Sequence, residues 1–338
     1  MIPTLILHGT PFERGRQHGE RFRTEIARVI AAARAEHGPA AYGAARGQAA
    51  AARPAIEAHA PDVAAELDGI AAGADADPID VLLRSGFELF GLPAVSGCSA
   101  IAACGSEGAL VAQNWDAPLS FARELVLFLH FGPEGFEQAI IASYGGLCWV
   151  GCNRHGLAFV NNDLMLSAKA TGLPSQIVRR LILAQESVSP AIAQLQALPH
   201  MGGRSYLMGD ASGAVAGVEV SARFGARVYQ NDSPVLHTNH ALDPDIRNDE
   251  AEDVLMRTYP SSRHRLDVLE RRYSGEATVA SIGTLLADRD GYPDAVAKAC
   301  SAAESTATLF SVIFDCAGHA LHLAAGAPAD HAYQKLAW

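Results

Sequence analysis

The strongest constraint on this chain is a change of pattern at Pro93. Ahead of it run long Ala-, Arg- and Glu-rich stretches with helical spacing. Behind it come short apolar-rich runs separated by Gly-bearing turns: "CSAIAAC", "ALVAQNWD", "ELVLFLHF", "FEQAIIASY", "CWVGCN" and "GLAFVNNDLM". Runs so closely spaced predict hairpins and an antiparallel sheet, because parallel neighbours need a crossover of about a dozen residues. Helical stretches around Ser175–Ser187 and Pro190–Ala197 interrupt the strands, which resume in "SYLMGDASGAVAGVEV", "RVYQ" and "VLHTNH". Helices over Ser262–Arg272 and Val279–Leu286 precede a last hairpin, "TLFSVIFDCAGHALHLAAG". Helices and strands fall in blocks, which predicts an α+β fold in packed layers.

Within the helical block, Thr10 followed by Glu13 reads as an N-cap with its capping box. Pro54 and Pro61 are expected to interrupt the next helices, and Asp77-Pro78 to open the last one. With 338 residues, 49% of them hydrophobic and 19% charged, the chain can bury a sizeable core. Its 26 basic residues are scattered among 37 acidic ones, for a net charge of −11, which excludes a nucleic-acid footprint. The opening "MIPTLILHGTP" has neither a basic leader nor a cleavage site, and no apolar stretch approaches the ~20 residues of a membrane span. Cys98, Cys104, Cys148, Cys152, Cys300 and Cys316 form no disulfide framework. A cytoplasmic location away from membranes is the expectation.

The stretch "SGCSAIAACGSEGALVAQNWD" carries the chemistry. Gly105 and Gly108 suit the corners of a tight turn. If Cys104 pairs with Ala109, Cys98 faces Trp115 and Gly97 faces Asp116; a slip of one residue would set Cys98 opposite Asp116. Cross-strand Cβ atoms lie ~5 Å apart, so Asp116 lies near the Gly97–Cys98 bond in either register. Asn114 and Asp116 share one strand face and are expected to converge on the thiol, with Trp115 turned to the core. A cysteine alone is weak evidence, since free Cys packs as a small hydrophobe.

From Gly97 onward the chain resembles the acyl-CoA:6-aminopenicillanic acid acyltransferase family of autoproteolytic cysteine N-terminal nucleophile (Ntn) hydrolases. The residues that carry the resemblance are Gly97-Cys98-Ser99, Gln113-Asn114-Trp115-Asp116, "VGCNRHGLAFVNND" (Val150–Asp163), "GLPSQIVRRLILAQESVSPAIA" (Gly172–Ala193), "HTNH" (His237–His240) and "SSRHRL" (Ser261–Leu266). "GTPFERGRQHGERFRTEI" also looks like the family's opening segment. Family members usually read Gly-Cys-Thr at the junction; Ser99 keeps the hydroxyl. The last residues, "KLAW", supply no peroxisomal address.

The resemblance implies a four-layer αββα Ntn sandwich of two antiparallel sheets flanked by helices. It implies a cut between Gly97 and Cys98 into a helix-rich α chain, residues 1–97, and a β chain, residues 98–338, that together keep one structural domain. The new α-amine of Cys98, with a pKa of ~7.7–8.0, would serve as base for a thiol whose own pKa lies near ~8.5. Asp116 would orient that amine, Asn239 would help form the oxyanion hole, and Arg263 would assist electrostatically, with Arg265 two residues away as the alternative. Ser99 and Asn114 support the site.

The implied reaction is hydrolysis of a small N-acyl amine or N-acyl amino acid through a Cys98 thioester, with no cofactor. Transfer of an acyl group from acyl-CoA, as co-substrate, to an amine such as a β-lactam nucleus is the alternative. A non-catalytic binding protein on the same fold is a third reading, disfavoured by the intact residue set. The expected partners are a small-molecule amide and the two chains of one precursor, with no nucleic acid or membrane and with self-association left open. Three apart in a strand, His237 and His240 point to opposite faces and make no metal pair. Cys148, Cys152 and His155 read as packing, and His18 as facing solvent or a carboxylate on its own helix. No G-x-S-x-G, P-loop, H-E-x-x-H or G-x-G-x-x-G is present.

Overall fold

Residues 2–90 and 97–337 are described by the computed structural model. The chain begins with β1 (Thr4–His8), α1 (Pro11–Arg21), α2 (Arg23–His59), α3 (Pro61–Ala74) and α4 (Pro78–Leu83). Next come β2 (Gly97–Gly105), β3 (Gly108–Ala117), β4 (Leu125–Gly132), β5 (Gly135–Ser143), β6 (Val150–Asn153) and β7 (Ala158–Asp163), then α5 (Ser175–Leu183) and α6 (Val188–Ala197). Strands β8 (Arg204–Gly209), β9 (Val215–Ser221), β10 (Gly225–Gln230) and β11 (Val235–His237) lead into α7 (Pro244–Arg247), α8 (Glu252–Thr258), α9 (Ser262–Arg272) and α10 (Val279–Leu286). The chain closes with β12 (Ala307–Asp315), β13 (Ala320–Ala324) and β14 (Gln334–Ala337).

The strands make two sheets. One has eight strands in the order β1-β4-β5-β6-β7-β8-β9-β10, the other six in the order β11-β2-β3-β12-β13-β14. Among the described residues, every pairing between these strands is antiparallel except β1 beside β4. Strand alternation sorts the side chains. Cys98, Ala100, Ala102, Val111 and Trp115 enter the core between the sheets. Ile101, Ala103, Leu110 and Ala112 turn outward onto Leu266 and Leu269 of α9 and Ile282 and Leu286 of α10. The sheets approach closely at Gly209, where a Cβ would lie 2.7 Å from Val111 Cγ2. Helices α5 and α6 lie against β6, β7, β9 and β10 of the larger sheet. The layers therefore run helix, sheet, sheet, helix, the αββα sandwich expected.

One element is unforeseen and two expectations need correction. The apolar N-terminal run is an edge strand, β1, paired in parallel with β4; a single short run carries no periodicity that could reveal a partner so far along the chain. Pro54 lies inside α2, and the interruption falls instead at Gly38, with φ +72°, ahead of Pro39. His18 is neither exposed nor paired within its helix: it is buried, and its Nε2 accepts from the Gly145 backbone N–H at 3.0 Å. Thr10 and Asp77 cap their helices as their sequences predict.

Helices α1 and α3 touch backbone to backbone. A Cβ at Gly15 would lie 2.1 Å from Glu66 O, and one at Gly69 2.1 Å from Phe12 O; Gly19 and Gly73 repeat the pattern one turn on. No side chain fits between such surfaces. The approach sets Arg14 and His18 of α1 around Glu66 of α3, which takes a bidentate bond from Arg180 of α5 at 2.7 and 2.8 Å. Burial pushes the Glu66 carboxyl up, but Arg180, His130 and Arg14 together outweigh it and hold it at about 2. Burial lowers His18 to about 4 and His130 to about 3, against the pull of Glu66.

Both imidazoles are thus neutral in the fold and take up protons on unfolding near an ordinary histidine pKa of ~6.5. Stability should fall as pH drops from ~6.5 toward 4, by up to about 1.4 kcal/mol per pH unit for each histidine. Thermal midpoints across that range check it, and His130→Gln should flatten the slope.

Candidate active site

The Gly105–Gly108 turn sets the register: Cys104 pairs with Ala109, Cys98 with Trp115 and Gly97 with Asp116. Gly108, at φ +112°, has the left-handed backbone this turn requires. Residues directly opposite share a face, so Cys98 goes with Trp115 into the inter-sheet core, beside Trp149 and Phe310. Asp116 points the other way, and its Oδ2 would lie 3.2 Å from a Cβ at Gly97. Its Oδ1 accepts from Thr308 Oγ1 at 2.7 Å.

Asn114 shares the face of Asp116 but does not converge on the thiol, which lies on the opposite face. Its amide donates to the carbonyls of Leu286 and Val296 at 2.7 and 2.8 Å. Asn114 ties β3 to the end of α10 and to the segment beyond it.

The "HTNH" segment starts on the last residue of β11, the neighbour of β2, and delivers Asn239 to the nucleophile. Asn239 Oδ1 accepts from the Cys98 backbone N–H at 3.0 Å and from Arg265 Nη2 at 2.8 Å, while its Nδ2 donates to Asp163 O at 3.2 Å. These partners fix the amide orientation, since arginine only donates and a carbonyl only accepts. The amide therefore presents its oxygen to Cys98, not the N–H expected of an oxyanion donor. Ser262 Oγ receives the Asn239 N–H at 2.8 Å. Glu219 anchors the same segment, bonded to His237 Nε2 at 2.8 Å and accepting from the Leu242 and Asp243 backbones at 2.7 and 3.0 Å.

Arg263 lies outside this cluster. Its side chain is 51% exposed and pairs with Glu252 and Glu250. Arg265, fully buried, occupies the site. Its Nη1 donates to Cys98 O at 2.5 Å and Ser99 Oγ at 2.9 Å, and its Nε to Ser261 Oγ at 3.0 Å. Helical periodicity held the signal: Arg265 is aligned with Ser262 and with buried Val268 and Leu269, whereas Arg263 is aligned with Asp267.

Electrostatically the site is dry. Burial drives the Cys98 thiol well above its ordinary pKa, with Asp163 and Asp116 adding and Arg265 opposing. Burial also raises Asp116, against Arg265, Lys298 and the Thr308 hydrogen bond. Lys298 is buried on Glu304, and Ser261 N–H donates to the same carboxylate at 2.8 Å. Asp163 bridges outward to Arg204 at 3.0 Å. Arg204 lines a cavity of about 660 Å³ with Leu164, Met165, Leu166, Met201 and Val254. Sequence reasoning singled out none of Asp163, Ser262, Thr308, Glu219 or Lys298 for a role in the site.

Cys148 and Cys152 are core residues. Among the described residues no three His, Cys, Asp or Glu side chains form a metal-ligating group, and no helix is long and apolar enough to cross a membrane.

The sequence profile of the family described as acyl-coenzyme A:6-aminopenicillanic acid acyl-transferase matches residues 104–330, two thirds of the chain. The acyl-coenzyme A:6-aminopenicillanic-acid-acyltransferase 40 kDa form of Emericella nidulans is 27% identical over 270 residues, covering 78% of this chain and 74% of that protein. Among solved structures, the Caenorhabditis elegans ortholog of N-acylethanolamine-hydrolyzing acid amidase aligns with a TM-score of 0.47 at 12% identity, over 65% of this chain and 93% of that one. Penicillin V acylase from Agrobacterium tumefaciens aligns with a TM-score of 0.43 at 13% identity, over 68% and 82%.

Proposed function

The chain belongs to the acyl-coenzyme A:6-aminopenicillanic acid acyl-transferase family, and from that premise we propose that it is a self-processed cysteine Ntn enzyme acting on carbon–nitrogen amide bonds. One observation carries the reading: the Cys98 backbone nitrogen already has a side-chain acceptor, Asn239 Oδ1, at 3.0 Å. Strand β11 stops pairing at His237 opposite Ala100, so a side chain rather than a ladder carbonyl receives this N–H, an acceptor that a freed α-amine could keep.

In the intact chain, Cys98 Sγ attacks the Gly97 carbonyl. The S–C bond forms, the C–N bond breaks, and the thiol proton passes to the departing Cys98 nitrogen. Asp116, lying against Gly97 on the face away from the thiol, is placed to orient the breaking bond and, ionised, to hold the nitrogen's new proton. Water then hydrolyses the thioester, leaving the Gly97 carboxylate, the free thiol and the α-amine. In the processed enzyme the amine takes the thiol proton as Cys98 attacks an acyl donor. Asn239 and Arg265 fix the amine and the Cys98 carbonyl between them.

A small N-acyl amine or N-acyl amino acid is the substrate class we assign, with water receiving the acyl group. The name of the Emericella relative supports the second reading, in which an amine receives it from an acyl-CoA. Supplying one purified sample with acyl donor, water and a competing amine separates the two by product ratio.

Intact-mass measurement tests the cut. The wild-type chain should give pieces of 97 and 241 residues, and Cys98→Ala should stay whole and inactive. A wild-type chain that never splits would overturn the reading.

A further inference from the structure

Thr308 stands directly across the ladder from Asp116, and one extra residue puts it there. Along β12, Thr308 pairs with Asp116 and Phe310 with Trp115, leaving Leu309 without an opposite number. This is a β-bulge, which re-aims the side chains on either side of it. In a regular strand residues two apart share a face, so Thr308 would follow Phe310 into the inter-sheet core. Instead Phe310 stacks on Trp115, ring centroids 5.3 Å apart, while Thr308 turns to the opposite face and donates to Asp116 Oδ1. The Thr308 hydroxyl oxygen accepts from the Lys298 backbone N–H at 3.0 Å, which orients its own proton toward the carboxylate. Asp116 Oδ2 is buried without a hydrogen-bond partner among the described residues. It is the oxygen that lies against Gly97.

We infer that Thr308 is a positioning residue for self-cleavage, anchoring one oxygen of Asp116 so that the other stays directed at the Gly97–Cys98 bond. The bulge at Leu309 aims it. The inference rests on the self-processing reading above. The charged groups that act on Asp116 are Arg265 from α9, and Lys298 and Glu304 from the segment after α10, with the Cys98 thiol of β2 behind the strand on its other face. A hydroxyl that donates to the carboxylate favours its ionised form, so its loss raises the pH at which Asp116 ionises.

The test times the conversion of freshly translated full-length chain by intact mass across a pH series. Thr308→Val should slow conversion about tenfold near neutral pH and move its acid limb up by about one pH unit, and Thr308→Ser should restore both. Circular dichroism checks that each variant folds; Thr308→Ala replaces the valine variant if that one does not. Conversion of either variant at the wild-type rate and with the wild-type limb overturns the inference alone. A slower rate with an unmoved limb and no rescue by serine overturns it too, as a general effect on the strand. A wild-type chain that never converts overturns the self-processing reading first, and this inference with it.

Discussion

Arg265→Ala should slow self-processing by about a hundred- to a thousandfold, the scale of losing a preorganised donor in a water-excluded site, while Arg263→Ala should leave it unchanged. The two residues differ in chemistry only by position. Arg265 has no exposed surface and spans Cys98 O, Ser99 Oγ, Asn239 Oδ1 and Ser261 Oγ. Its removal leaves those buried acceptors short of donors and frees Asn239 to rotate from the Cys98 nitrogen. Arg265→Lys should not rescue, because one ammonium cannot reproduce a planar fork across four acceptors. Arg263 pairs with Glu252 and Glu250 where solvent screens the charges, and such a pair contributes at most about 1 kcal/mol. Timed intact-mass measurements on the three variants read the result. Equal rates for the two alanine variants would remove Arg265 from the site.

Glu66→Gln should cost about 3–5 kcal/mol of stability, because it leaves Arg180 buried without its counter-charge. The pair has 4% and 5% side-chain exposure and joins α3 to α5 through two parallel hydrogen bonds. Urea unfolding checks the loss. The double replacement Glu66→Leu with Arg180→Met should recover most of it, since removing both charges also removes their desolvation cost. If the double variant were as unstable as the single one, the loss would come from shape rather than charge.

Where sequence determined the outcome, it did so through short-range rules. The two glycines of "CGSEG" fixed the turn, the turn fixed the register, and the register placed Asp116 opposite Gly97 without any knowledge of the fold. The caps at Thr10 and Asp77 are equally local. Facing directions were harder. Register and alternation together set Asn114 and Asp116 on the side away from Trp115 and the thiol, against the expectation that they converge on it; what that side meets instead, the end of α10, shows only in the packing. The partner of β1 lies more than a hundred residues away and leaves no local trace. The bulge at Leu309 sits in "ATLFSVIFD", which reads as an unbroken strand. The side-chain oxygen of Asn239 faces Cys98 only because Arg265 and Asp163 occupy the rest of its hydrogen-bonding capacity.

The pairing of β1 with β4 would acquire a further meaning under the proposed cut before Cys98. Strand β1 and the glycine-seated helices belong to the first piece, yet they are stitched into a sheet and an ion pair that belong to the second. Folding would then be unimolecular in the precursor and bimolecular afterwards. The processed protein should unfold at a denaturant concentration that depends on protein concentration, whereas Cys98→Ala should not. Dilution would then act on the finished enzyme as a destabilising force to which its own precursor is indifferent.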